Sequence, residues 1–168
     1  MSRMDGRGEF MKMRGWRLLS VGVMCGAMAC PAMLAARPKL PVPSTWELDQ
    51  LRSDFGGGPK LESDVFTVNS DKPALMNLDF VMTDEAGRTV KASWSGPQDG
   101  KLLPLTGATG ISFGIDKEGN EQWVFADGTT RVGKLSVEKD KKTLLVRVLV
   151  TGKDGKQYSQ VLMYNRTD

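Results

Sequence analysis

The side chains of this chain that could do chemistry are carboxylates, and little else. None of the 168 residues is a histidine, and the two cysteines, Cys25 and Cys30, both lie near the start. Without imidazole a Ser-His-Asp or Cys-His pair is excluded, and so are the usual zinc sites. Two acids working as general acid and base, as in a hydrolase, are the enzyme chemistry that remains. Most of the acids fall in turn sequences, however: Asp84, Glu85, Asp99, Asp127, Asp140 and Asp154. There a short carboxylate serves the local backbone. Asp64 and Asp79 are the exceptions, in or beside β-prone runs, and no spacing sets two acids on opposite walls of a cleft. The reading is therefore a non-enzyme, with the hydrolase as the third choice.

Other site signatures dissolve on inspection. The glycine runs at 56–58 and 107–110 do not sit between a strand and a helix, the context a phosphate loop requires. Residues 116–120 lack the ligand pattern of a calcium loop. Lys139, Lys141 and Lys142 read as a solvated hairpin tip. No cofactor and no metal is expected. What is left is aromatic: Trp94, Phe113, Trp123 and Phe125, with Tyr158, could line a cavity for a small apolar ligand or fill the interior of a small barrel. A void of roughly 300 Å³ or more would decide for the ligand. Residues 96–109 form the longest irregular stretch after the linker and are the first place to look for a recognition surface.

The elements that must position these residues begin after an export segment. Lys12, Arg14 and Arg17 precede an apolar run over 18–29, and small residues lead to Ala35-Ala36. A basic start, a short apolar stretch and small residues before a cut describe a secretory signal peptide over residues 1–36. Met11 heads a conventional signal, so 1–10 reads as an upstream start-site artefact. The apolar run is shorter than the roughly 20 residues a membrane span wants. Five of the 23 basic and two of the 20 acidic residues lie in 1–36, which leaves 18 of each sign. The +3 of the whole chain thus belongs to the signal, and no basic stripe remains to bind nucleic acid. Both cysteines leave with it, so the mature domain has no disulfide. Residues 27–30, Ala-Met-Ala-Cys, loosely fit a lipoprotein signal, and lipidation of Cys30 is a competing expectation. The protein is expected in the periplasm or secreted.

A Pro-rich linker, 37–43, follows. Beyond it the pattern is β-prone runs at 45–49, 65–69, 75–83, 89–95, 110–116, 121–126, 129–138, 143–151 and 157–165. Turn sequences such as Asp127-Gly128 separate them and supply the positive φ that tight hairpins need. Within 75–83, Met76, Leu78, Phe80 and Met82 share one face. A weak helix candidate lies at 48–53. Nine short strands in chain order make an antiparallel meander. Exposed edges are an aggregation hazard, so the expectation for 44–168 is an all-β up-and-down barrel, closed or nearly so. Its interior should take Leu78, Phe80, Trp94, Ile111, Phe113, Ile115, Trp123, Phe125, Val146, Val148 and Val150.

Over nearly all of 44–165 the chain resembles the small exported bacterial proteins with a lipocalin-like (calycin-type) β-barrel domain. The likeness rests on Ser44-Thr45-Trp46-Glu47-Leu48, on 52–59 (RSDFGGGP), on 99–107 (DGKLLPLTG), on 140–144 (DKKTL), on 151–156 (TGKDGK) and on a last strand reaching Tyr164. The chain departs from the pattern at Ser44, where the group has glycine. The resemblance implies a barrel or strongly curved meander and export, and it carries no catalytic residues. It also implies that Trp46 plugs one barrel end beneath an arginine from a late strand, Arg147 or Arg166 here, a cation–π contact. The expected function is that of an exported, non-enzymatic protein that binds a small hydrophobic molecule. The alternative is a cell-envelope interaction protein with a solid barrel that meets its partner through loops.

Overall fold

The computed structural model describes residues 39–168. The expected signal peptide and Cys30 lie outside the described residues. Ten strands follow one another: β1 (Ser44–Leu48), β2 (Leu61–Lys72), β3 (Leu75–Asp84), β4 (Thr89–Gly96), β5 (Leu103–Pro104), β6 (Ser112–Ile115), β7 (Asn120–Val124), β8 (Thr130–Val137), β9 (Thr143–Thr151) and β10 (Gln157–Arg166). All pair antiparallel in one sheet of order β4-β3-β2-β1-β10-β9-β8-β7-β6-β5. The first strand meets the last, with Trp46 opposite Arg166, Glu47 opposite Asn165 and Leu48 opposite Tyr164. The sheet is a nearly closed barrel. Its seam lies between β4 and β5, where one bridge spans the gap: Ser93 and Thr106 exchange two backbone hydrogen bonds of 2.9 Å.

Period-two patterning puts the core where it was expected. On β3, Met76, Leu78, Phe80 and Met82 are buried while Leu75, Asp79 and Val81 face out. Trp94, Phe113, Ile115, Trp123 and the three valines of β9 are buried as well. Ile111 and Phe125 are only half-buried, because both stand just beyond a strand end, at the rim. Burying a large apolar side chain contributes about 1.5–3 kcal/mol. The described residues contain no cysteine, so this core, together with the backbone ladder, holds the barrel.

Three local expectations change. The turn at 48–53 is not a helix; Asp49 Oδ1 accepts the Arg52 N–H at 3.1 Å and Ser53 Oγ donates to the Asp49 carbonyl at 2.7 Å, a local alternative to helical bonding. Strand β2 is longer than 65–69, because register shifts at 61–63 and 68–70 carry pairing past the points where the alternation breaks. Strand β5 lies inside the stretch taken as irregular.

Both barrel ends are covered. At one, Leu40 enters ahead of β1 and its N–H donates to Asp71 Oδ2 at 3.2 Å, while Gln98 Nε2 donates to Asp71 Oδ1 at 2.9 Å. At the other, the chain between β1 and β2 lies along β10: Asp54 and Val161 exchange two bonds of 2.8 Å, and Gln160 Nε2 donates to the carbonyls of Phe55 and Pro59. Gly56 makes that approach possible. Its φ is +56°, and a Cβ there would stand 2.0 Å from the Ser159 carbonyl oxygen. Among the described residues no helix is long and apolar enough to cross a membrane.

Candidate functional site

The four aromatics expected to line a cavity are packed chiefly on one another. Phe113 is the hub, with ring centroids 4.5 Å from Trp123, 5.2 Å from Trp94 and 5.6 Å from Phe80. Phe80 also meets Trp123 edge-on at 5.0 Å, and Phe125 stacks on Trp123 at 6.1 Å. Offset and edge-to-face contacts of this kind are favourable beyond the area they bury. They leave an interior cavity of about 30 Å³. That is room for a water molecule, an order of magnitude below a drug-sized pocket. The larger concavity, about 370 Å³, is an open surface groove lined by polar residues including Glu47, Asp49, Glu62 and Asn165.

Trp46 is fully buried, stacked on Phe66 with centroids 6.5 Å apart. Its polar contact is not an arginine. The indole Nε1–H donates to Ser44 Oγ at 2.8 Å, and Ser44 Oγ donates to the Pro41 carbonyl at 2.7 Å. A glycine at 44 could not receive that bond, so the serine hydroxyl at this position has a use. Arg147 lies on the outer face of β9, between the buried Val146 and Val148. Arg166 is drawn to Asp168 at 3.0 Å. Neither stacks on Trp46; among the described residues the cation–π contact is Arg131 over Trp123, 5.7 Å from its centroid.

That arginine belongs to a cluster that was not foreseen. Asp64 on β2, Glu121 on β7, Arg131 on β8 and Tyr164 on β10 are exposed by only 5, 6, 9 and 1%, and all four line the interior cavity. Strand parity places them there. Glu121 is two residues from Trp123, and Arg131 is the register partner of Trp123. Arg131 donates from Nη2 to Glu121 Oε1 at 2.9 Å, and the Tyr164 hydroxyl donates to Asp64 Oδ2 at 2.7 Å. Gly133, the register partner of Glu121 on β8, makes space for its carboxylate: a Cβ there would stand 2.8 Å from Oε1. Three polar atoms of cavity-lining residues are buried without partners: Asp64 Oδ1, Arg131 Nε and Trp123 Nε1.

The electrostatics follow from burial. Loss of water pushes the Asp64 carboxyl above its usual range, against the pull of Arg131 and of the Tyr164 hydrogen bond, while the Glu121 charge adds to the rise. Burial is the largest influence on Arg131 and works against its charge, but Glu121, Tyr164 and Asp64 together outweigh it and keep the guanidinium protonated. Burial also pushes the Tyr164 hydroxyl well up, with Asp64 adding to it. An acid that holds its proton more tightly when folded stabilises the fold fully below its unfolded range. That contribution is lost as the pH rises through the range toward the folded value. Asp64→Asn is therefore expected to melt higher than the parent at pH 7, with the difference closing as the pH falls toward the ordinary Asp range near 3.8; thermal melts at several pH values check this.

Two acids, Asp64 and Glu121, thus do converge, in a closed core rather than across a cleft. Among the described residues no group of three or more acidic or cysteine side chains could hold a metal ion. No protein-family model matches the chain, and no curated protein does.

Proposed function

We infer that this is an exported, non-enzymatic, lipocalin-like barrel that acts through its outer surface, as an interaction protein of the cell envelope. The observation that carries the reading is the filled interior. The aromatics expected to wall a cavity occupy it, and about 30 Å³ remains. A fatty acid or dye of drug size needs roughly 300 Å³ or more, so the small hydrophobic ligand gives way to the solid barrel. The hydrolase reading lacks an open cleft: Glu121 is answered by Arg131, and Asp64 is bonded to Tyr164. The outer surface offers residues 96–109, where Leu102 is 41% exposed beside Lys101 and Asp99.

A hydrophobic dye and a long-chain fatty acid, titrated against the full chain with tryptophan emission as the readout, are expected to bind neither saturably nor with quenching. Photo-crosslinking in cells from position 102 is expected to give one discrete adduct, and from position 79, on the outer face of β3, none. Saturable dye binding with quenched emission would return the reading to ligand transport. Equal adducts from both positions would contradict a surface centred on 96–109.

A further inference from the structure

The outward-facing positions of β7 to β10, on the wall opposite the seam, hold no carboxylate. Their charged residues are two cations, Lys134 and Arg147, which stand directly opposite each other as register partners on β8 and β9. Like charges so placed destabilise a sheet. Lys134 turns aside to the Glu118 carbonyl, while Arg147 has no side-chain hydrogen bond or ion pair among the described residues. Around them the face is aliphatic. Val132 and Leu149, also register partners, are 50% and 42% exposed, and Leu145, Val161 and Met163 are half-buried beside them. The turn that joins β8 to β9 adds exposed Lys139, Lys141 and Lys142. Of its two acids, Asp140 is engaged by the N–H groups of Lys142 and Thr143, which leaves Glu138. Glu47 and Asp79 lie instead on the outer faces of β1 and β3.

We propose that the outer face of β8 to β10 docks on a membrane surface whose headgroups carry anionic phosphate. Charge complementarity selects an anionic occupant, since an anion set between Lys134 and Arg147 turns their repulsion into two attractions. The composition selects lipid over protein. Cores of protein interfaces are enriched in aromatic side chains and poor in lysine, whereas this face and its turn are aliphatic and lysine-rich, with no aromatic residue facing outward. Long cationic side chains lay their methylenes over apolar neighbours and keep their charges at the headgroups. Val132 and Leu149 then enter the boundary with the acyl chains. A second copy fits poorly, because a two-fold contact through this face would set the cations against their own images. The inference goes beyond the envelope-partner reading and uses a different wall from residues 96–109. The adduct from position 102 and the binding of lipid are therefore gained or lost separately.

The test is sedimentation of the full chain with vesicles of phosphatidylcholine alone or mixed with phosphatidylglycerol. The parent is expected to bind the mixed vesicles more tightly than the neutral ones, with the difference shrinking as salt is added. A cation near an anionic surface contributes about fivefold, so Lys134→Gln with Arg147→Gln should weaken binding to the mixed vesicles roughly twentyfold. Lys72→Gln with Lys91→Gln, the same change of charge on β2 and β4, should weaken it by less than about twofold if the contact lies where proposed. All four positions are exposed, and unchanged tryptophan emission checks that the variants fold. Residues 1–36 are the same in every variant. A photo-crosslinker at position 149 should capture lipid from the mixed vesicles, and one at position 79, on the outer face of β3, should not. Equal losses from the two charge pairs, equal capture at 149 and 79, or no capture at 149 would overturn the proposal. So would a protein adduct from 149 in cells in place of lipid, which would make the occupant an acidic partner or a second copy.

Discussion

Arg131→Met is expected to cost about 3–5 kcal/mol of folding stability, because it leaves Glu121 charged, buried and unanswered. The pair is 2.9 Å apart, and its side chains are 11% and 7% exposed. Domains of this kind hold only about 5–15 kcal/mol in total, so the variant should be close to unfolding at room temperature. Arg131→Met combined with Glu121→Leu should recover most of the loss, since an apolar pair of similar volume can replace a buried ion pair at little cost. Urea unfolding followed by tryptophan emission measures both. A loss below about 1 kcal/mol in the single variant would mean that water reaches the pair, as it does in exposed ion pairs.

Phe113→Ala is the second large effect, about 3–5 kcal/mol. Phe113 is 1% exposed and touches Phe80, Trp94 and Trp123 at once. Its removal opens a void that β-strands locked in a closed sheet cannot collapse to fill, so the cost should sit in the upper part of that range. Phe125→Ala makes the contrast. Phe125 is half-buried at the rim with one stacking partner, and its loss should be distinctly smaller. Equal losses at the two positions would contradict the packing described.

The architecture was largely legible in the sequence, because period-two alternation and turn residues act locally. The inward face of β3, the valines of β9 and the pairing of first strand with last all follow from patterning and chain-order pairing. Local signals failed where the chain departs from regular alternation. The shifts in β2 interrupt the alternation without ending the strand. Strand β5 is two residues long, one of them Pro104, and pairs chiefly through β6.

The candidate site was harder to read, for a different reason. Asp64 stood out as an acid near a strand, but Glu121 and Arg131 passed unnoticed, although parity with Trp123 puts both inside. Charged residues are rarely buried unless paired, so inward parity alone does not mark Glu121 and Arg131 as core. Their pairing joins strands distant in sequence, which no spacing along the chain displays. The partner of Trp46 was missed likewise: the resemblance pointed to an arginine, while the hydroxyl two residues earlier supplies the bond. Whether the aromatics line a void or fill it depends on how side chains from several strands interlock, which is a tertiary property.

The account rests on a sheet that curls until β4 meets the segment after β5, around a filled core. Nuclear Overhauser contacts between the backbones of Ser93 and Thr106, bridge partners across that seam, test it most directly. They are predicted to be present in the folded full chain, and their absence in a chain whose other strand pairs show theirs would contradict the closed barrel and the reading built on it.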